Sequence, residues 1–216
     1  MIAIVDYQMG NLRSVQKAFE NRGFEAIIAD RIELIRDAEG IVLPGVGAFG
    51  DCYRELKSRG FIEPLLEYIR EGRPFLGICL GLQLLLTSSE ESIGTPGLNV
   101  IPGNVRRFDN GELKVPHMGW NRVRYPSAGR DNGARCPLFD GIPDGSYFYF
   151  DHSYYVVPED PLVAAGVTDY GVSFVSAVWR KNVFATQFHP EKSQSAGLKI
   201  IENFGKLVTK TAHARG

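Results

Sequence analysis

Arg73-Pro74-Phe75-Leu76-Gly77-Ile78-Cys79-Leu80-Gly81-Leu82-Gln83 is the stretch on which the reading of the chain turns. The apolar run 75–78 has the length and composition of a short buried strand, and the leucine-rich run 80–86 reads as a helix. Cys79 stands between the two. A residue at such a junction lies on a sharp turn with free helix N–H groups beside it. Gly77 and Gly81 sit two residues to either side, which lets the turn tighten without Cβ clashes, as in the Gly-x-Ser-x-Gly elbow. The positive end of the helix favours a thiolate, so the position suits a nucleophile. A cysteine in an apolar strand is otherwise a small core residue, and a second segment is needed to decide.

That segment is Val183-Phe184-Ala185-Thr186-Gln187-Phe188-His189-Pro190-Glu191-Lys192-Ser193. Pro190 holds His189 out of the α region, and residues two apart in an extended chain face the same side. His189 and Glu191 can therefore address one target. A carboxylate on one ring nitrogen fixes the tautomer and leaves the other free to take a thiol proton. Cys79, His189 and Glu191 together have the composition of a triad for acyl transfer.

These motifs resemble the class I (triad) glutamine amidotransferases. Asp6-Tyr7-Gln8-Met9-Gly10-Asn11-Leu12, Pro44-Gly45-Val46-Gly47-Ala48-Phe49, Pro116-His117-Met118-Gly119-Trp120-Asn121 and Gln187 to Ser193 resemble, more narrowly, the glutaminase subunits of imidazole glycerol phosphate synthases. The signatures run in order along nearly the whole chain. The resemblance implies a glutaminase that hydrolyses L-glutamine to glutamate and ammonia with Cys79, His189 and Glu191 and without a cofactor. It implies a separate (β/α)₈-barrel cyclase subunit as the partner receiving the ammonia. Its pocket residues would be Ser153 and Tyr154, and its interface residues Asn11, Met118, Trp120 and Asn121. Competing readings are a paralogue feeding a barrel partner in surface-sugar biosynthesis and a non-catalytic binding subunit.

Around the elbow, apolar strands at 2–5, 24–29 and 41–43 alternate with helices at 12–21, 32–37, 51–59 and 61–71. This pattern implies a parallel sheet covered on both faces, with functional loops at the carboxyl ends of the strands. Asn11 is the expected cap of the first helix. From residue 98 onward, short strands (98–108, 115, 120–125, 147–157, 162–167, 172–179, 183–188) separated by turns suggest antiparallel additions. Asp109-Asn110-Gly111 and Arg180-Lys181-Asn182 are the expected hairpin turns. A last amphipathic helix is expected over 196–209, with fraying from 211. The fold expected is α/β: an open mixed, mostly parallel sheet flanked by helices with an antiparallel extension, as a single domain over 1–216.

Pro44-Gly45-Val46-Gly47 falls at a strand end beside Cys79. It is a turn that needs glycine torsions, and it can also present an N–H to an oxyanion. The resemblance points the same way, and Val46, being β-branched, resists φ > 0. The expectation is an oxyanion hole incomplete in the free chain, completed by a peptide rearrangement near Val46 and Gly47 when the partner docks. Leu80 would be the other donor. Gln83 lies on the helix face of Cys79 and is read equally as a substrate contact or as a solvated or capping amide. Trp120 and Asn121 are either a plug under a loop or interface anchors.

The bulk properties exclude several classes. The chain has 216 residues, 44% hydrophobic and 23% charged, enough for one sizeable core. A net charge of −1 and no basic stripe argue against nucleic acid. Three cysteines argue against a disulfide framework and for a reducing compartment. No metal-ligand spacing, signal peptide or membrane-length apolar run is apparent, so a cytoplasmic protein without metal is expected.

Overall fold

The computed structural model describes residues 1–109, 111, 113–126 and 135–214. The first half alternates strand and helix: β1 (Ile2–Val5), α1 (Leu12–Glu20), β2 (Ala26–Ala29), α2 (Ile32–Asp37), β3 (Gly40–Gly45), α3 (Phe49–Ser58), α4 (Ile62–Arg70), β4 (Phe75–Cys79) and α5 (Leu80–Leu84). The second half is mostly strand: β5 (Ser88–Ser89), β6 (Gly103–Arg107), β7 (His117–Val123), β8 (Ser146–His152), β9 (Tyr154–Pro158), β10 (Ala164–Tyr170), β11 (Val172–Arg180) and β12 (Val183–Thr186). The long helix α6 (Gln194–His213) follows.

The main sheet runs β2-β1-β3-β4-β12-β11-β9-β6-β5, with β10 paired to β11. Its β2-β1-β3-β4-β12 half is parallel, and β11, β9 and β6 add antiparallel pairs. Strands β7 and β8 form a separate antiparallel pair. The expected mixed sheet is thus present, with its extension split between two sheets.

Alternation along each strand builds two cores. Ala3 and Val5 of β1 face Ile35, Leu56 and Leu65 from α2, α3 and α4. Ile2 and Ile4 face the other way, toward Val15 and Phe19 of α1 and Ile201 and Phe204 of α6. A parallel strand buried on both faces must be apolar throughout, as Ile2-Ala3-Ile4-Val5 is.

Several elements differ from expectation, each for a local reason. The strand expected over 98–108 is only β6. The Leu98, Asn99 and Val100 N–H groups are taken by the Leu84, Leu86 and Leu85 carbonyls, closing off the end of α5, which is itself shorter than 80–86. The strand over 147–157 is broken at Ser153, where the chain leaves the small sheet for the main one. Asn11 makes no side-chain cap. The last helix starts at Gln194 and continues to His213, past the expected fraying point. The turn at Asn110 falls partly outside the described residues, and the flanking β6 and β7 do not pair. The turn 180–182 does join paired strands, with Lys181 at φ 55°.

The elbow glycines are required by close backbone approach. A Cβ on Gly81 would stand 1.9 Å from the Leu43 carbonyl oxygen, and one on Gly77 would stand 2.8 Å from that of Gly81. Gly81→Ala must push β3 and α5 apart. It is expected to cost about 3 kcal/mol or more, read as a lowered urea midpoint at unchanged m-value.

Candidate active site

Cys79 closes β4 with φ 54° and ψ −107°, a left-handed torsion for a non-glycine residue. The turn throws its side chain off the carboxyl edge of the sheet. Next to β4 lies β12, parallel and in register, with Thr186 opposite Ile78. The residues following these partners are therefore neighbours, and the Gln187 amide donates to the Cys79 sulfur at 3.6 Å. The thiol itself reaches the Asp151 carbonyl at 3.9 Å, and two residues beyond Gln187, His189 stands in the same cavity wall as Cys79.

The backbone of His189 is clamped on both sides. Its N–H donates to the Tyr149 carbonyl at 2.9 Å, and the Ser193 hydroxyl donates to its carbonyl at 2.6 Å. The Ser193 oxygen in turn accepts from the Tyr149 N–H at 2.9 Å. Pro190 opens a single 3₁₀ turn (Pro190–Lys192) that folds Glu191 back under the ring. Glu191 Oε1 lies 2.9 Å from His189 Nδ1, and both side chains are almost wholly buried. Burial alone would lower the imidazole pKa. The sulfur of Cys79 and the Glu191 carboxylate beside the ring outweigh it and raise the pKa from 6.5 to about 10.

A cavity of about 270 Å³ opens above the sulfur, with Val46, Gly47, Leu80, Gln83, Ser153, Tyr154 and His189 in its wall. Gln83 is buried. Its amide donates to the Tyr154 carbonyl at 3.1 Å and to Gln187 Oε1 at 3.2 Å, so it is neither solvated nor a helix cap. Gly45 pairs with Cys79 across β3 and β4, which brings the Pro44–Gly47 loop to the thiol. Gly47 takes the positive φ, 95°, while Val46 avoids it and is 41% exposed. The Tyr7 hydroxyl donates to the Pro44 carbonyl at 2.7 Å, and the Cys52 thiol to the Val46 carbonyl at 3.5 Å. Burial pushes the Cys52 thiol up to about 12, so it stays a protonated donor. Cys52 packs in the core and also holds the loop.

Sequence reasoning passed over Gln187 as a contact to the sulfur, and Glu91 and Lys192 in the cavity wall, where Asp151 also lies. Gln187 was legible in principle, because it follows the β12 strand by one residue as Cys79 ends β4. Glu91 was not. It arrives from the loop after β5, and its carboxylate accepts from the Phe49 N–H at the start of α3. Among the described residues no cluster of three or more His, Cys, Asp and Glu side chains is arranged for a metal. No helix among them is long and apolar enough to cross a membrane.

The residues assigned to an interface fall in different settings. Met118 and Trp120 are 60% and 46% exposed on one face of β7, so Trp120 is not a buried plug. Asn121 belongs to the other face, with its amide donating inward to the Asp169 carbonyl at 3.0 Å. Asn11 is exposed at the start of α1.

The sequence model described as Glutamine amidotransferase class-I matches residues 3–207. The chain belongs to the class I glutamine amidotransferases. Within that family it is 56% identical to the imidazole glycerol phosphate synthase subunit HisH of Geobacter sulfurreducens, across 95% of this chain and 98% of that one. It is 55% identical to the protein of the same name from Syntrophotalea carbinolica, across 96% and 100%. The solved PurLQS structure from Thermotoga maritima shares the fold at a TM-score of 0.67 and 18% identity, covering 97% of each chain.

The raised His189 pKa fixes a sign for stability. A folded-state value above the unfolded one contributes stability that is whole below pH 6.5 and is lost as pH rises toward 10. Glu191→Gln removes the carboxylate partner of the ring. The His189 titration followed by NMR is expected to move down toward its ordinary value, and the alkaline loss of stability to begin at lower pH.

Proposed function

We propose that this chain hydrolyses the side-chain amide of L-glutamine and supplies the ammonia to a separate (β/α)₈-barrel cyclase subunit. That subunit would form imidazole glycerol phosphate and aminoimidazole carboxamide ribotide in histidine biosynthesis. The observation that carries the chemistry is Cys79 and His189 together in the wall of one cavity, with Glu191 hydrogen-bonded to the far side of the His189 ring. The relatives named as HisH subunits support the pathway and the partner.

In this mechanism the Cys79 thiolate attacks the carboxamide carbon, and the electron pair moves onto the carbonyl oxygen. The Leu80 N–H, at the first turn of α5 and free of an intrahelical acceptor, is one oxyanion donor. The second comes from the Val46–Gly47 segment after a peptide rearrangement that docking induces, which must overcome the Cys52 and Tyr7 bonds to the loop. Collapse of the tetrahedral intermediate breaks the C–N bond as His189 gives its proton to the leaving nitrogen. Water, deprotonated by His189, then releases glutamate from the thioester. Glu191 holds the ring in one tautomer throughout. Gln83, Ser153 and Tyr154 shape the pocket, and the Glu91 carboxylate complements the substrate's α-ammonium group. Met118 and Trp120, together with Asn11 at the start of α1, form the docking face, and the ammonia passes across it shielded from water. The buried thiols suit a reducing, cytoplasmic setting.

Cys79→Ala is expected to cut glutamine-dependent synthesis by the assembled pair at least about a thousandfold. Synthesis from added ammonia should persist at the parent rate; loss of both, or of neither, refutes the assignment. Glutaminase turnover should rise when the barrel subunit and its ligand are added, and equal rates with and without them would dismiss the rearrangement at Val46.

A further inference from the structure

The triad leaves two buried histidines unused. His117 on β7 and His152 on β8 are 4% and 6% exposed and lie opposite each other in the small sheet. They sit in an aromatic cage. His117 is stacked between Phe150 and Tyr170, with centroids at 4.8 and 4.0 Å, while Phe108 and Phe174 close on both rings. Burial keeps both neutral, lowering His117 to about 4 and His152 to about 3.

The hydrogen bonds then admit one proton assignment. The Tyr154 carbonyl can only accept, so His152 Nδ1, 2.8 Å away, carries the proton. In a neutral ring its Nε2 is an acceptor, so His117 Nδ1 at 3.0 Å donates to it. His117 Nε2 is then an acceptor for the Asn121 amide at 3.2 Å. Every donor points the same way, from Asn121 through both rings to the Tyr154 carbonyl. That carbonyl also accepts from Gln83, which bonds Gln187, which bonds the Cys79 sulfur.

We propose that the His117–His152 pair is a positioning relay that sets the Asp151–Tyr154 corner of the glutamine pocket from strand β7. It rests on the reading of that cavity as the glutamine site. The corner needs such a hold because the chain breaks there between two sheets, and Asp151, His152, Ser153 and Tyr154 all line the cavity. Apolar side chains would fill the cage without desolvating two imidazoles; what they cannot supply is a directed chain of donors. The same strand carries exposed Met118 and Trp120 on its opposite face, so a load placed there reaches the corner through these bonds. The charged or titratable neighbours are few: Tyr155 and Tyr170 in the cage, and the His189 ring, which acts on His152 at longer range.

The test uses the full chain with imidazole nitrogens labelled, and then the same chain with its synthase partner. In the parent both rings should show the neutral Nδ1–H tautomer. Asn121→Asp puts an acceptor where the donor stood. It forces His117 to protonate at Nε2, sets two acceptors face to face unless a ring becomes charged, and should shift the Tyr154 carbonyl resonance. The glutamine KM should rise about tenfold with a much smaller change in kcat, the expected cost of a buried bond left unmade. His117→Leu should act likewise, whereas His117→Asn, which keeps an N–H at the Nδ1 position, should stay within about threefold of the parent KM. If His117→Leu does not fold, the tautomers and Asn121→Asp still decide. Parent rings protonated at Nε2, or an unchanged Tyr154 resonance and KM in Asn121→Asp, would overturn the relay. A parent chain that hydrolyses no glutamine even with its partner would sink the substrate assignment instead, and the tautomers and carbonyl shift would judge the relay alone.

Discussion

Parallel pairing of β4 with β12 is the constraint on which the site depends. Phe75 to Ile78 lie opposite Val183 to Thr186, so two segments more than a hundred residues apart leave the sheet side by side at its carboxyl edge. One ends in the cysteine elbow and the other bends through Pro190 to bring an imidazole and its acid to the same point. Strand β3, on the other flank of β4, delivers the Pro44–Gly47 loop by the same logic. A one-residue slip of this register would send each strand's side chains into the opposite core, so the packing that stabilises the sheet also holds the geometry of the site. The glycines at 45, 77 and 81 belong to this constraint, because a side chain at any of them would wedge apart the elements that meet at the thiol.

The three buried histidines show how partner chemistry decides charge. All lose hydration, which disfavours the imidazolium. His189 faces a carboxylate and a sulfur and is pushed up; His117 and His152 face each other, an amide and a carbonyl, and are pushed down. The same residue type is therefore held toward the charged form in one wall of the cavity and toward the neutral form in another. A buried ion pair is costly to assemble, so the His189–Glu191 contact is better understood as a device for chemistry than as a source of stability.

The small β7–β8 sheet joins these two regions. Its period of two places His117 and Asn121 toward the cage and Met118 and Trp120 toward solvent. The inner face lies against the pocket corner, and the outer face carries an exposed apolar and aromatic patch of the kind that partners cover.

Local pattern was sufficient for the first half of the chain. Each strand of the parallel half is a continuous apolar run, each helix has its own periodicity, and the elbow is spelled out by Gly77, Cys79 and Gly81 with their spacing. The pairing of His189 with Glu191 was legible too, because proline acts on its immediate neighbour and two residues span one turn. The second half was harder. Leu98 to Ile101 look like a strand but end up closing off α5, and 147–157 looks like one strand but belongs to two sheets. In both cases the choice depends on which distant backbone groups need partners. The contacts of Gln187, Glu91, Cys52 and the His117–His152 pair join elements far apart in the chain. Sequence by itself determined which residues could carry the chemistry, since torsion, periodicity and side-chain type are local properties. Only the tertiary structure decided which of them meet and in which protonation state, because proximity and burial are properties of the packed sheet.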